Sequence, residues 1–476
     1  MSLNHGINTY KSATRRTTVA TAKVSIPFFV GAWPCHAGQG FTGKPQIAYS
    51  FDEAKALGGY SAEWRDGEGN PKWSLCQAMV SQFELFGMAP AIFYNVFDPA
   101  VHKKAVESAS FPVADHIVRL SADVIDDEGL IVKDQEDTLV KGTDYEVIYS
   151  SGECIIELLP ASTHIKASML DIAYNEADLS GITASTIEAA IEKIEDCKAL
   201  LGIAPTLICC PGWSQTPSVA AVMAVKAGSI NGIFMGKAVV DLDTSTDGAA
   251  SYKDVLKHKT ENGYTDENMH VCWPLVVAGG DLFDYSVIYC GHIAALDHAN
   301  DDCPYESPSN KALPIDGCVN KAGEEITLSV QQADVVSYGA GVVTALNFNG
   351  WTAWGNYTGC WPEETDVAKS YICTSRMMDF LGNRFVENFW RYVDRPLTRV
   401  RIDAIVNEFN SYLNALTHDG KLCGGEIQYV ADNNPTDDLI AGKFRLDVTA
   451  ASPVPAQQIN LFCEYDVATL VASLTV

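Results

Sequence analysis

The chain is long, acidic and of ordinary globular composition. Its 476 residues exceed one typical domain and predict two to four domains. The 60 acidic residues against 33 lysines and arginines give a formal net charge of −27, so the average surface should repel nucleic acid and anionic lipid. No run of about eighteen apolar residues and no signal-peptide core occurs, which predicts a soluble protein made in the cytosol without membrane insertion.

The first quarter predicts an extended arm followed by an α/β core. Residues 1–24 are polar, carry Arg15 and Arg16, and precede any core-like segment. The apolar run VSIPFFVGAWP then predicts a buried strand, SLCQAMVSQFELFG an amphipathic helix, and PAIFYNVF a second strand. A strand, a helix and a strand in this order indicate a parallel sheet.

Residues 113–178 change to short alternating runs. Tyr145, Val147 and Tyr149 alternate with polar residues and should meet the run 155–159 across a turn. We therefore predict an inserted all-β domain. The α/β pattern resumes afterwards, so the core is expected to comprise residues 25–112 plus 179–348.

Residues 349–465 predict a C-terminal α+β assembly domain, followed by an apolar C-terminal arm at 466–476. One helical stripe is closed by Gly420, and the runs KFRLDVTA and QQINLFCEYD alternate with period two, as expected for a closing hairpin. The fold class is thus an α/β core with an inserted all-β domain and a C-terminal α+β domain carrying extended terminal arms. The stripe consists of Ile402, Ile405, Phe409, Leu413 and Leu416.

The stretch CGHIAALDHANDDCPYESPSNKAL is the most chemically suggestive. Asp297, His298 and Cys303 are possible metal ligands, and a metal-dependent hydrolase using them is one interpretation. Their spacing matches no ligand pattern, and turn-forming residues surround them. We favour an ordered loop in which Asp297, Ser307 and Asn310 satisfy backbone groups. The 14 cysteines are scattered without a CxxC pair, which predicts buried thiols rather than a zinc site.

Two further stretches allow a ligand but favour a structural role. CPGWSQTP has the position of a phosphate-binding turn, yet it lacks the required glycines, so a capped helix start is the better interpretation. NGWTAWGNYTG offers an aromatic ligand platform, but a buried turn packed by Trp351 and Trp354 is commoner.

Arginines are concentrated in one part of this acidic chain. Residues 376–401 hold six arginines and three acids. Arg376, Arg384 and Arg391 are spaced to lie near one helical face. That face is either simply solvated or a basic docking surface for an acidic protein partner.

The order of the motifs resembles that of the contractile tail sheath proteins of bacteriophages and related injection machines. The resemblance covers almost the whole chain, although each motif alone is weak. Its C-terminal part is similar to the variant of phages and prophages of Gram-positive bacteria. The motifs are HGINTYKSATRR before IPFFVGAWP, GTDYEVIYSSGECIIEL, TLICCPGWS, HVCWPLV, CGHIAALD with SPSN, QQADVVSYGAGVVTALNFNGWTAWGNYTG, and DRPLTRVRIDAIVNEFNSYLNALTHDGKLCGG.

The resemblance implies a structural subunit, not an enzyme, that needs no cofactor and no metal. It would form hexameric rings stacked into a helical sheath around a tail tube protein, with baseplate and tail terminator proteins at the ends. The virion tail would be assembled in the host bacterial cytoplasm and would contract to drive the tube through the cell envelope.

The same resemblance implies roles for particular residues. Terminal arms would add strands to a neighbour's sheet, and the arginine-rich helix would face the tube. The expected arm residues are Ile7, Tyr10, Arg15, Arg16, Val467, Leu470, Val471 and Leu474; the receiving sheet holds Phe444, Leu446, Val448, Ile459, Leu461 and Tyr465; the tube-facing residues are Arg376, Arg384 and Arg391.

Overall fold

The computed structural model describes residues 20–21, 23–121, 124, 129–150 and 153–475. The predicted arm residues Ile7, Tyr10, Arg15 and Arg16 lie outside the described residues. Within the described chain, no helix is both long enough and apolar enough to traverse a lipid bilayer.

A six-stranded sheet forms the centre of the protein, as the α/β pattern predicted. Its strands at 27–31, 91–95 and 237–241 are buried at every position, so both faces of the sheet are covered. The strand order reverses beside the first strand, which is the doubly wound arrangement. In spatial order the strands are Met269–Cys272, Lys237–Asp241, Leu207–Cys209, Pro27–Gly31 and Ala91–Asn95, all parallel, and then the antiparallel Gln46–Ala48.

Helices supply the layers around this sheet. The helix expected after CPGWSQTP begins at Pro217, but Thr216 at the N-cap position makes no side-chain capping hydrogen bond, so the predicted helix start is present without its cap. The helices of this part are Phe51–Gly58, Ser74–Met79, Ala184–Ile191, Cys197–Leu201, Pro217–Ala227, Val255–Glu261, Tyr285–Ala299 and Val330–Asp334.

The loop predicted for CGHIAALDHANDD is wrong over its first ten residues. Cys290 to Ala299 form the second part of the helix Tyr285–Ala299, and the turn begins only at Asn300. Gly291 suggested a turn, but it serves close packing, since an added Cβ would lie 2.4 Å from the Phe86 ring. Eleven of the fifteen residues are buried, so no amphipathic stripe marked this helix in the sequence.

The all-β insert has its own apolar core, and the predicted pairing of 145–149 with 155–159 is present. It begins earlier than the predicted residue 113, because the strand 103–112 pairs with 169–177. The polar, exposed sequence KKAVESASFP hid that strand. One sheet holds Tyr145–Ser150, Glu153–Leu158 and Ile117–Ser121; the other holds Lys103–Pro112, Met169–Ala177, Ile131–Asp134 and Asp137–Thr138.

Short strands flank the core and also mark where the C-terminal domain begins. The pairing of 344–347 with 351–354 keeps residues 349–354 with the core rather than with the C-terminal domain as predicted. Trp351 and Trp354 are half-buried in this pair. The remaining pairs are Ala20–Thr21 with Met88–Ala89, and Leu275–Ala278 with Asp281–Phe283 and Gly317–Val319.

The C-terminal domain is a helical hairpin packed on a two-stranded sheet. The stripe from Ile402 to Leu416 is buried, as predicted, against the preceding long helix. The elements are the helices Val367–Ser370, Ile372–Phe389, Arg399–His418, Thr436–Ile440 and Val467–Leu474, and the strands Gly424–Gln428 and Asp447–Ala451.

The closing hairpin was predicted wrongly. The strand 447–451 pairs with 424–428 and not with the segment after it. Residues 452–466 form no strand, although Ile459, Leu461 and Tyr465 keep their period-two spacing. These three side chains therefore do not belong to the receiving sheet of their own chain.

Candidate functional site

The predicted metal ligand Asp297 is part of a buried ion pair. Its carboxylate accepts hydrogen bonds from the Arg376 guanidinium and from Ser25 Oγ, and Arg376 Nη2 also donates to Ser25 Oγ at 2.8 Å. The side chains of Asp297 and Arg376 are only 2% and 5% exposed. Asp297 therefore links two helices and the segment just before the strand Pro27–Gly31, instead of satisfying turn backbone as expected.

The other members of the predicted cluster do not converge with it. His298 faces Asp302 at 3.6 Å, and the Cys303 thiol lies 3.8 Å from the Met377 sulfur. Burial raises the pKa of Cys303 to about 11, which keeps the thiol protonated. Among the described residues, no group of three or more His, Cys, Asp and Glu is placed to hold a metal ion. The arrangement gives no support to the hydrolase interpretation.

The turn after this helix agrees better with prediction. Asp301, Asp302 and Asn310 adopt positive φ, and Ser307 Oγ accepts a hydrogen bond from the Ser309 N–H. The turn-forming residues thus define the chain path from residue 300 onward.

The crevice at the carboxyl ends of the central strands, where α/β proteins commonly bind ligands, is filled by the protein itself. Asp284 accepts hydrogen bonds from Arg65 Nη2 at 2.6 Å, Gln77 Nε2 at 2.7 Å and Gln215 Nε2 at 2.9 Å. Gln215 comes from the CPGWSQTP turn. That turn therefore contributes to an internal network, in agreement with its structural interpretation.

A second buried carboxylate lies in the same crevice. Asp241 accepts from the Ser286 N–H at 2.7 Å and from Ser214 Oγ at 3.1 Å. Burial, reinforced by the charge of nearby Asp284, raises the pKa of Asp241 to about 7. Ionisation of this group works against the folded state at neutral pH.

An aromatic and polar cavity of about 720 Å³ joins the two sequence stretches singled out earlier. The turn at 307–310 and the hairpin end at 354–357 form its walls, and the start of the C-terminal segment crosses it. Tyr357 Oη donates a hydrogen bond to Gln457 Oε1 at 2.9 Å. The cavity is therefore the place where the C-terminal segment last contacts its own body through a defined hydrogen bond.

An apolar groove of about 370 Å³ opens beside the two-stranded sheet. Phe444 and Val448 on its rim are 37% and 43% exposed. It includes three of the six predicted receiving residues. The groove is lined by Met378, Leu381, Gly382, Phe385, Phe409, Ile427, Phe444, Leu446 and Val448.

The C-terminal segment exposes a continuous series of apolar side chains. Ile459, Leu461 and Tyr465 are exposed by 86%, 85% and 72%. The arm residues that were predicted to be extended form the helix 467–474, whose N-cap is Asp466. Val467, Leu470, Val471 and Leu474 on this helix are likewise 42–75% exposed.

The predicted basic face of the helix 372–389 is not a single exposed surface. Arg376 is buried by its pairing with Asp297, so its assignment as a tube-facing residue is wrong. Arg384 lies 3.3 Å from Glu387, and Arg391 lies 2.7 Å from Glu408. The spacing was correct, but helical periodicity alone cannot tell a buried ion pair from a solvated arginine.

Sequence reasoning missed the groove residues of the long helix and the anchor at Gln457. Met378 and Leu381 lie at helical spacing with Phe385, but such spacing does not show that part of an apolar stripe stays uncovered. Gln457 lies in a polar run that carried no signal. The available signal was the apolar C-terminal segment at 467–474, which indicates that an apolar surface elsewhere must bury it.

Comparison with known proteins finds similarity to tail sheath proteins. No family model matches it. It is 24% identical to the tail sheath protein of Burkholderia phage BcepMu over 96% of this chain and 95% of that protein. It is 23% identical to a putative prophage major tail sheath protein of Pseudomonas aeruginosa strain UCBPP-PA14, over 67% of this chain and 79% of the relative.

Solved structures confirm the fold. A chain of the anti-feeding prophage baseplate superposes with a TM-score of 0.60 at 14% identity, covering 98% of this chain and 100% of that one. A chain of the contracted anti-feeding prophage helical sheath gives 0.56 at 14% identity, with 97% and 99% covered. The predicted fold class and the predicted resemblance are thereby confirmed.

Proposed function

We propose that this chain, which is a contractile tail sheath protein, polymerises as stacked hexameric rings around a tail tube and contracts to drive the tube through a cell envelope. It is a structural virion protein and not an enzyme. The observation that supports self-assembly most directly is an uncovered apolar arm, residues 459–475, on a molecule that also carries an unfilled apolar groove.

The arm of one subunit is proposed to occupy the groove of the next. A two-stranded sheet is marginal alone, and its free strand edge accepts a further strand. Ile459, Leu461 and Tyr465 alternate as a strand requires, and the groove beside 447–451 offers an apolar floor. Each large apolar side chain buried contributes about 1.5–3 kcal/mol before the cost of ordering the arm.

This link also explains how subunits can slide and stay connected. Main-chain hydrogen bonds of an added strand hold the arm, while the unpaired segment after residue 452 lets the bodies rotate. The N-terminal arm is proposed to act in the same sheet; its residues lie outside the described part of the chain. Contraction would then exchange body contacts without breaking the connections.

The test uses two variants that should not polymerise, one because it lacks the arm and the other because its groove is altered. One chain lacks residues 459–476, and the other carries Leu446→Glu in its groove. Electron microscopy of wild-type protein should show long hollow tubes, whereas each variant alone should stay monomeric. Mixing them should give a 1:1 heterodimer, since one supplies the arm and the other the groove.

Each result has a clear meaning. Polymers from the truncated chain would exclude the arm as the linking element. Wild-type protein that stays monomeric at high concentration would contradict the sheath function itself. Circular dichroism of both variants checks that they are folded.

For the contact with the tail tube we propose Arg384 and Arg391. Their side chains are 30% and 56% exposed, and exposed ion pairs are individually weak, about 0–1 kcal/mol. Such contacts can hold register and still release. The double variant R384E/R391E should form sheath polymers alone but fail to assemble on tubes; normal extended tails would overturn the proposal.

The remaining partners are proposed from the family. Baseplate and tail terminator proteins would contact the two ends of the stack, and a Gram-positive host stays a prediction. Assembly in the bacterial cytoplasm is supported by the cysteines, since all 14 are free thiols and 12 are buried.

A further inference from the structure

The tip of the C-terminal helical hairpin, residues 390–401, carries a charge opposite to that of the chain. Its sequence WRYVDRPLTRVR holds four arginines and one aspartate, so its net charge is 4 − 1 = +3, while the whole chain has −27. A local excess of this sign is not explained by solubility, which the acidic surface already provides.

Apolar side chains are exposed on the same tip. Trp390, Val393, Leu397 and Val400 are 60%, 54%, 38% and 79% exposed. Tryptophan and arginine are the residue types that most often dominate the energy of protein interfaces. The tip thus combines exposed apolar side chains with arginines, a composition that is typical of protein–protein interfaces.

The position of the arginines is unfavourable for the isolated fold. Arg399 and Arg401 occupy the first turn of the helix Arg399–His418. That first turn contains no acidic residue. The positive end of the helix dipole disfavours cations there. Arg399 and Arg401 make local contacts there, yet acidic residues would suit this helix end better, which points to a further role for the arginines.

Some of these arginines have acidic neighbours, but not all. Arg399 pairs with Asp403 at 2.9 Å and lies over the Tyr429 ring at 5.4 Å, and Arg391 pairs with Glu408. In the parts of the chain covered by the structure, no carboxylate pairs with Arg395. The tip therefore has unused capacity for an acidic partner.

We infer that the hairpin tip docks through Arg395, Arg399 and Arg401 on an acidic surface of a second copy of this chain, while Arg391 is left to the proposed tube contact. Charge complementarity favours that occupant, because another copy presents a surface with a strong excess of acids. A contact between two different surfaces of identical chains generates rings or helices. The inference rests on the proposed function and adds a second contact, independent of the arm and the groove.

The test reverses two exposed arginines, with R395E/R399E. Glutamate at position 399 loses the pair with Asp403 but suits the helix N-terminus, and circular dichroism checks that the helix is retained. The matched control K103E/K104E makes the same charge change on an exposed strand of the insert. The tip variant should raise the protein concentration needed for polymerisation by at least about tenfold, and the control should leave it near the wild-type value.

A photo-crosslinking residue at Val400 gives a readout that does not depend on loss of assembly. In wild-type background it should yield covalent dimers, with the crosslink in an acid-rich segment of the other copy. Polymerisation of R395E/R399E at the wild-type concentration would overturn the inference. Loss of assembly on tubes with normal self-polymers would also overturn it, in favour of the tube as the occupant. If wild-type protein does not polymerise, the sheath function fails first.

Discussion

Arg376 was predicted to be an exposed, tube-facing residue, but it forms a buried ion pair. Its charge was expected outside, but the fold uses it to join the helix 372–389 to Asp297 and Ser25. Removing one member of a buried pair leaves the other charge uncompensated, whereas exposed pairs contribute little.

Arg376→Met should therefore lower the free energy of unfolding by about 3–5 kcal/mol. The double variant R376M/D297L should recover part of that loss, because no lone charge remains. Urea denaturation followed by tryptophan fluorescence measures both. Arg384→Met, at a half-exposed pair, is the control and should change stability by less than about 1 kcal/mol; equal losses at both positions would contradict the buried role.

Asp241 makes stability depend on pH. Its pKa is raised from 3.8 to about 7, so the folded chain still binds a proton that the unfolded chain has released between these values. The stabilising contribution is complete below about pH 4 and is lost as the pH rises through 7. Asp241→Asn keeps the side-chain shape and cannot ionise.

We expect D241N to be more stable than wild type at pH 8 by about 2–4 kcal/mol, and the difference to shrink by more than half at pH 5. Urea unfolding curves at the two pH values measure it. Asp284→Asn should behave differently, because Arg65 would lose its partner, and should destabilise at both pH values. A D241N effect that is the same at pH 5 and pH 8 would show that Asp241 is not the titrating group.

At the scale of elements, residue spacing predicted helices and strands correctly where one face is buried and the other is exposed to solvent. The helix 399–418 and the strands of the insert have such faces, and both were predicted from spacing. The helix 285–299 is buried almost all round, so its spacing carried no signal. The closing hairpin was predicted wrongly because residues 457–466 alternate as a strand would but do not pair. The partner of the strand 447–451 is chosen by tertiary contacts, which spacing does not show.

The start of the C-terminal segment forms a strap over the cavity at residues 307–310 and 354–357. Tyr357 donates a hydrogen bond to Gln457 of the strap, and the cavity lies beneath it. Release of residues 453–458 would lengthen the free arm by six residues, or about 20 Å when extended. We therefore expect the strap to limit how far a neighbour linked through the proposed arm can move.

Tyr357→Phe should loosen the strap in the isolated subunit. Spin labels on native Cys423 and on the thiol introduced by Ala456→Cys, in a C463S background, give the distance; the twelve buried thiols should not react. Wild type should show one narrow distance distribution and Y357F a broader, longer one. Identical distributions would mean that the hydrogen bond does not hold the strap.

At the scale of the whole molecule, the insert has an apolar core of its own, and we expect it to fold as a separate unit. Its core is distinct from the core of the central sheet, and its first and last strands pair so that Lys103 lies opposite Ala177. Both chain ends of the insert are therefore one strand spacing apart, about 5 Å. Removing the insert leaves a gap that a very short linker can close.

Replacing residues 103–177 by two glycines should leave a folded body with a thermal midpoint within a few degrees of wild type. Differential scanning calorimetry measures it, and the excised insert should unfold cooperatively as a separate peptide. Aggregation of the shortened body, with no cooperative transition, would show that the sheet depends on the insert.

The closeness of the two ends of the insert also has a consequence for the divergence of the genes that encode related proteins. Recombination at two junctions whose ends already meet can add, shorten or exchange this segment without disturbing strand order in the central sheet. Variation in length among relatives should therefore concentrate between residues 103 and 177, and lineages adapting to new surroundings would change this segment first.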